Sequence, residues 1–171
     1  LQSIEIPNSV TSIGSGAFRE CIALQSIEIP NSVTSIEDGA FRECTSLKDL
    51  RIEDGKSNLS LGYHTYKSSG RGKGLFNDCP LETLHIGRNL SYKTDSKYGF
   101  SPFYGKSTLT TITIGNSVTY IGESMFSGCS RLTNIIIPNS VTSIGNYTFN
   151  GCTGLTKVYL LGENPPSAGK E

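Results

Sequence analysis

The side chains able to do chemistry are few and widely spaced. They are five cysteines (Cys21, Cys44, Cys79, Cys129 and Cys152), two histidines (His64 and His85), and a middle stretch rich in lysine, arginine and tyrosine. Cysteines can bind a metal or cross-link, but the C-x-x-C spacing of metal sites is absent and an odd number cannot pair fully. Each cysteine stands three residues before a leucine, or two for Cys79, so all five share one phase of a repeated pattern. Stacked at one phase, their Cβ directions run parallel, which suits the torsion of a disulfide poorly. The pattern predicts a ladder of free, buried, unreactive thiols packed as small apolar groups. For catalysis nothing converges: there is no nucleophile elbow, paired-carboxylate motif or H-E-x-x-H. Gly70-Arg71-Gly72-Lys73-Gly74 has the composition of a phosphate-cradling loop, but lacks the G-K-[ST] ending and a following helix. It reads as the tip of a loop. No catalytic, metal or cofactor residue is assigned, and the chain reads as a non-enzyme.

The elements that position these residues come from a repeat. LQSIEIPNSVTSIGSGAFRECIA, Leu1 to Ala23, is followed at once by a near copy, Leu24 to Ser46. Units open at Leu1, Leu24, Leu47, Leu81, Leu109, Leu132 and Leu155, at spacings of 23, 23, 34, 28, 23 and 23. Within a unit, Ser3-Ile4-Glu5-Ile6 alternates as a strand with one buried face. Pro7 ends its pairing and Asn8-Ser9 is a turn. Val10 to Ile13 is a second extended piece. Ala17 to Cys21, with Phe18 and Cys21 three apart, reads as a single helical or 3₁₀ turn. A fixed period in this range with leucine and isoleucine at set offsets marks a leucine-rich-repeat coil. The fold expected is therefore an α/β repeat solenoid over residues 1–171. It has a parallel sheet on one face and short strands with helical turns opposite.

Two units break the period at the same phase. The third holds 11 extra residues within 53–74, and the fourth five extra within 87–102, with Lys106 where cysteine is expected. Equal phase in a solenoid means the same side, so the two insertions are expected to be neighbours. Residues 1–46 hold two basic and six acidic side chains, 47–106 ten and six, and 107–171 three of each. The positive excess therefore lies where the insertions are, in Lys56, Lys67, Arg71 and Lys73, then Arg88, Lys93, Lys97 and Lys106. Aromatic residues are interleaved with them. Long loops on a rigid scaffold commonly carry function, and tyrosine and arginine suit recognition. The candidate partner-binding residues are Tyr63, His64, Tyr66, Lys67, Arg71, Lys73, Tyr92, Lys93, Tyr98, Phe100 and Tyr104. Arg51 and His85 join them from the exposed columns of the sheet face. Packing of the two loops on each other, and plain solvation of the strand face, explain the same residues equally.

A formal net charge of zero argues against a dedicated nucleic-acid surface. No apolar run is long enough to span a membrane, and no signal peptide is evident. Because Leu1 already sits at a core position, the chain reads as a fragment of a longer one.

The unit L-x-x-I-x-I-P-N-S-V-T-x-I-G-x-x-A-F-x-x-C-x-x-L closely resembles the BspA-like, or treponemal-type, leucine-rich repeat. Units two, five and six match it closely, unit five with Gly115 for the proline and Met125 for the alanine. The resemblance implies a right-handed solenoid from a secreted or cell-surface, usually bacterial, protein. It also implies adhesion to host extracellular-matrix proteins such as fibronectin and fibrinogen, or to other cells. The expected partner is thus a protein, not nucleic acid or membrane, and a glycan is possible. A structural spacer displaying another domain is the alternative. The family defines no ligand residues, so none are carried over.

Overall fold

The computed structural model describes residues 2–65, 72–94 and 101–169, with the backbone alone at 64, 65, 72 and 73. The chain runs through β1 (Ser12–Ile13), β2 (Ser26–Ile29), β3 (Ser35–Ile36), β4 (Asp49–Ile52) and β5 (Leu59–Leu61). A hairpin follows, β6 (Tyr63–Thr65) with β7 (Gly72–Gly74). Then come β8 (Thr83–Ile86), β9 (Leu90–Ser91), β10 (Thr111–Ile114), β11 (Tyr120–Ile121) and β12 (Asn134–Ile137). The last three are β13 (Ser143–Ile144), β14 (Lys157–Leu160) and β15 (Ser167–Ala168). The four-residue strands stack in parallel on one face, as β2–β4–β8–β10 and β12–β14. The shorter strands stack on a second face, as β1–β3–β5–β9 and β11–β13–β15. The result is a parallel-strand solenoid of the leucine-rich-repeat kind, with coils numbered here by their opening leucines.

Alternation builds each rung. In β2 Ser26 and Glu28 are exposed while Ile27 and Ile29 are buried, and β4 repeats this with Asp49, Arg51 and Leu50, Ile52. In-register pairing then sets Ile27 on Leu50 on Leu84 on Ile112. Each such side chain, once fully buried, stabilises the fold by about 1.5–3 kcal/mol. Residues 3–6, expected as the first strand, form no ladder with β2. Ile4 and Ile6 are accordingly only partly buried.

The phenylalanines form a continuous stack. Centroids of Phe18, Phe41, Phe76, Phe103, Phe126 and Phe149 follow one another at 5.3, 5.1, 5.5, 6.2 and 5.9 Å. The helical turn expected around each of them is not formed, and no helix occurs among the described residues. The amides of Gly16, Phe18 and Glu20 donate to Asp38, Ala40 and Arg42 of the next coil at 3.1, 2.9 and 2.8 Å. The alternate amides of Ala17, Arg19 and Cys21 bond back to Gly14, Gly16 and Phe18 at 3.1, 3.0 and 3.1 Å. A helix needs every amide to bond along its own axis. Here every second one is spent on the neighbouring coil. The sign of φ changes to allow it, to 67° at Gly16 and 60° at Glu20. Phe18 and Cys21 share a face as expected, but in stacked turns rather than helical ones.

The cysteine ladder carries a hydrogen bond that the sequence did not suggest. Thiols of Cys44, Cys79, Cys129 and Cys152 donate to the carbonyls of Phe18, Phe41, Phe103 and Phe126 at 3.1, 3.6, 3.5 and 3.0 Å. All five cysteines are free. Lys106, counted in the sequence with the surface charge of the second insertion, instead occupies this ladder. Its Nζ donates to Phe76, Asn77 and Cys79 carbonyls at 2.5, 2.6 and 2.9 Å, with the residue 5% exposed. Arg88, read the same way, is fully buried. It reaches past Gly55 of coil 3 to donate to the carbonyls of Pro30 and Asn31 in coil 2, each at 2.9 Å.

Both insertions leave after the second strand of their coil. Coil 3 departs after β5 into the β6–β7 hairpin, where Tyr63 pairs with Gly74. Coil 4 departs after β9, which lies beside β5. Their returning ends touch: a side chain at Gly74 would strike Ser101 and Pro102. Around coil 5 both ladders are interrupted. β10 lies alongside β12 without a hydrogen-bonded ladder, and β9 has none with β11. Asn89 replaces the second missing ladder with its side chain. Its Oδ1 accepts the amides of Thr119 and Tyr120 at 2.9 and 3.3 Å, and its Nδ2 donates to Thr119 Oγ1 at 2.9 Å.

Candidate functional site

The face of the four-residue strands carries a groove of about 700 Å³ that crosses coils 1 to 5. Two columns of side chains project into it because they are the outward positions of the alternation. One runs Ser3, Ser26, Asp49, Thr83, Thr111, and the other Glu5, Glu28, Arg51, His85, Thr113. Arg51 Nε pairs with Glu28 Oε1 at 3.0 Å, and its Nη2 stands 3.7 Å from Asp54 Oδ2. His85 Nε2 lies 3.0 Å from the same Asp54 oxygen. Thr83 Oγ1 donates to Asp49 Oδ1. Glu53 on the rim accepts the amide of Asn31 at 2.6 Å. It also faces the guanidinium of Arg88, whose pKa burial lowers and Glu53 restores in part. Pairs this exposed are each worth about 0–1 kcal/mol, so the network orders the face more than it holds the fold.

The candidate residues fall in two places. Arg51 and His85 come together across one groove, joined through Asp54. Tyr63, Tyr92 and Lys93 line a different cavity, of about 460 Å³, on the second face. There the Tyr63 amide donates to Asp38 Oδ1 at 3.0 Å. Ser35, Ser60 and Ser91 make the neighbouring row on successive rungs. Tyr92 sits one residue past β9, next to the ladder, and packs partly buried against the core. Its phenol donates to the Glu123 carbonyl at 2.9 Å, and burial pushes its pKa up. Tyr104 is 39% exposed in the turn after Phe103. His64 and Lys73 are register partners in the hairpin. Tyr66, Lys67, Arg71, Tyr98 and Phe100 lie outside the described residues.

Sequence reasoning passed over Glu53 and Asp54, which occupy the place of Pro-Asn in units one, two and six. A pair of acids where the repeat calls for a turn was the available signal. It also passed over Asn89. Among the described residues no group of three or more His, Cys, Asp or Glu side chains is placed to hold a metal. Among them no helix is long and apolar enough to cross a membrane.

The profile of the BspA type leucine rich repeat region matches residues 1–90 and 71–164, with six copies. Among solved structures, a leucine-rich repeat protein of T. pallidum is similar at 24% identity and a TM-score of 0.69, over 98% of this chain and 73% of that one. One from Bacteroides ovatus is similar at 21% identity and a TM-score of 0.54, over 94% of this chain and 43% of its own. A leucine rich cell surface protein from Faecalibacterium prausnitzii is 29% identical with a TM-score of 0.52, over 92% of this chain. The chain thus spans 43 and 44% of the lengths of the latter two. Among curated proteins none matches the sequence.

Proposed function

Since the chain belongs to the BspA type leucine-rich repeat family, we propose that it is a non-enzymatic interaction module. It would act in a secreted or cell-surface protein and adhere to a protein partner. The observation that carries this is the groove across five coils, whose outward side chains are polar, ordered by one another and backed by a rigid ladder. A rigid scaffold lowers the ordering cost of association, so more of the contact energy appears as affinity. The surface location is favoured by the description of the Faecalibacterium relative as a cell surface protein. Adhesion to extracellular-matrix proteins, or to other cells, is the specific form proposed.

The test is saturable binding of the immobilised chain to fibronectin, fibrinogen and whole cells. It is repeated with Ser26→Trp, which obstructs the groove at coil 2, and with residues 64–73 replaced by a two-glycine turn. Loss with Ser26→Trp places the contact on the strand face, and loss with the shortened hairpin places it on the insertions. The absence of saturable binding refutes the proposal, and binding that survives both changes refutes its placement on these two surfaces. A second reading, glycan binding, is favoured by the smaller cavity. Its row of Ser35, Ser60 and Ser91 hydroxyls beside Tyr63 and Asp38 offers donors, acceptors and an aromatic ring to a sugar. Saturation-transfer NMR with neutral oligosaccharides checks it, and the reading fails where Ser60→Val leaves the transfer unchanged.

A further inference from the structure

The charges of the groove are not balanced. Five carboxylates, Glu5, Glu28, Asp49, Glu53 and Asp54, stand in it or at its edge, against the guanidinium groups of Arg51 and Arg88. Arg51 is taken by Glu28 and Asp54, and Arg88 lies buried behind the rim. Glu5 and Asp49 are exposed and make no ion pair among the described residues. Glu5 holds the phase of Glu28 one coil earlier, and because Arg51 already pairs with Glu28, Glu5 and Asp49 are the carboxylates left open to an incoming cation. From coil 4 onward the same columns carry Thr83, His85, Thr111 and Thr113, so the acidity is confined to one end of an otherwise hydroxyl-lined face. Beneath coils 2 to 4 the isoleucines and leucines are buried in the ladder, and only Ile4 and Ile6 of coil 1 stay partly open, which leaves little purchase for an apolar anchor. Nucleic acid, acidic glycans and anionic lipid meet the wrong sign of potential here.

We infer that this groove takes a lysine- or arginine-rich segment of a separate protein partner, an inference that rests on the strand face being the interaction surface. The basic side chains lie over coils 1 to 3, between Glu5, Glu28 and Asp49. The rest of the segment crosses the threonines of coils 4 and 5. Complementary charge of this kind selects partners and speeds encounter more than it adds affinity, so the binding is weak and salt-dependent.

Calorimetric titration of the whole chain with the decapeptides (Lys-Ser)₅, (Gln-Ser)₅ and (Glu-Ser)₅ tests this, at low and at physiological salt. The lysine peptide is expected to bind, and the other two not. Neutralising Glu5→Gln with Asp49→Asn should weaken it about fivefold, the size expected from two exposed charge contacts. The control pair Glu123→Gln with Glu163→Gln removes the same charge away from the groove and should change it less than about twofold. Equal weakening by both pairs means diffuse attraction and overturns the inference. Binding of the glutamine peptide as tightly as the lysine peptide, abolished by Ser26→Trp, overturns the inference but leaves the face as the surface. Lysine-peptide binding unaffected by Ser26→Trp overturns both. Sedimentation gives the remaining outcome: self-association abolished by Glu5→Gln with Asp49→Asn makes a second copy the occupant and overturns the assignment to a separate partner.

Discussion

Replacing Lys106 by methionine keeps most of the stem and removes the ammonium group that donates to Phe76, Asn77 and Cys79. Each of these bonds, made by a charged donor, is worth about 1.5–3 kcal/mol, but the ammonium gave up several kcal/mol of hydration to make them. Two of the carbonyls keep another donor. Phe76 accepts the Cys79 amide at 3.0 Å and Cys79 accepts the Leu81 amide at 2.9 Å. Asn77, which is half-buried, has no second hydrogen bond to its carbonyl among the described residues, and the about 1–3 kcal/mol cost of a fully buried unpaired carbonyl is an upper bound there. With neutral groups rather than a partner ion left behind, the net loss should be near the low end of that range, about 1 kcal/mol. For a urea slope of about 2 kcal/mol/M the unfolding midpoint drops by about 0.5 M. Lys106→Cys restores the donor to Phe76 that the other coils use, but not the one to Asn77, and should fall between the two proteins. Equilibrium urea unfolding followed by circular dichroism measures all three. Methionine at 106 with a midpoint equal to or above the parent's would show that desolvation outweighs the three bonds, and would refute the account of the buried lysine.

Glu43→Gly and Tyr147→Gly relieve left-handed backbone at φ 61° and 55°. Against the entropy that glycine loses on folding, each should still stabilise by about 0.5–1 kcal/mol, seen as a higher Tm. Gly122→Ala drives a methyl into the ring of Tyr92, whose Cζ would lie 2.7 Å away. It should destabilise by about 1–3 kcal/mol, and less in a Tyr92→Leu background, measured as a double-mutant cycle. Burial pushes the Cys129 thiol up to about 12 and raises Cys152 as well. A thiol that stays protonated in the fold and ionises when unfolded gives stability that is whole below about pH 9 and is lost as pH rises from there toward 12. Unfolding midpoints across pH 8–11 should fall accordingly, and fall less in Cys129→Ser. A thiol reagent at pH 8 should modify half-buried Cys21 before the four buried cysteines.

The strands were legible because Asp49-Leu50-Arg51-Ile52 alternates with a period that only an extended chain has. The Phe turn was not legible in the same way. A spacing of three between Phe18 and Cys21 is shared by a helix and by a turn stacked on its neighbours. What decides is where the amides of Gly16 and Phe18 point, which depends on a coil 23 residues away. Arg88 and Lys106 defeated the sequence for a related reason. A charged residue reads as surface until carbonyls from another coil are known to converge on it. Lys106 at the cysteine phase was a legible clue to the ladder, whereas Arg88 had none. The groove's two columns followed from alternation alone, but the link from Arg51 to His85 runs through Asp54, which lies outside those columns.

The two missing ladders around coil 5 are staggered, one between β10 and β12 and the other between β9 and β11. The first gap lies between coils 5 and 6, where β11 and β13 remain paired. The second lies between coils 4 and 5, where β8 and β10 remain paired. As with offset joints in brickwork, no single plane cuts the stack through unbonded backbone alone. Tension along the long axis must tear at least one intact ladder wherever the rod parts, so the array resists fracture at its weakest coil as well as within its regular ones.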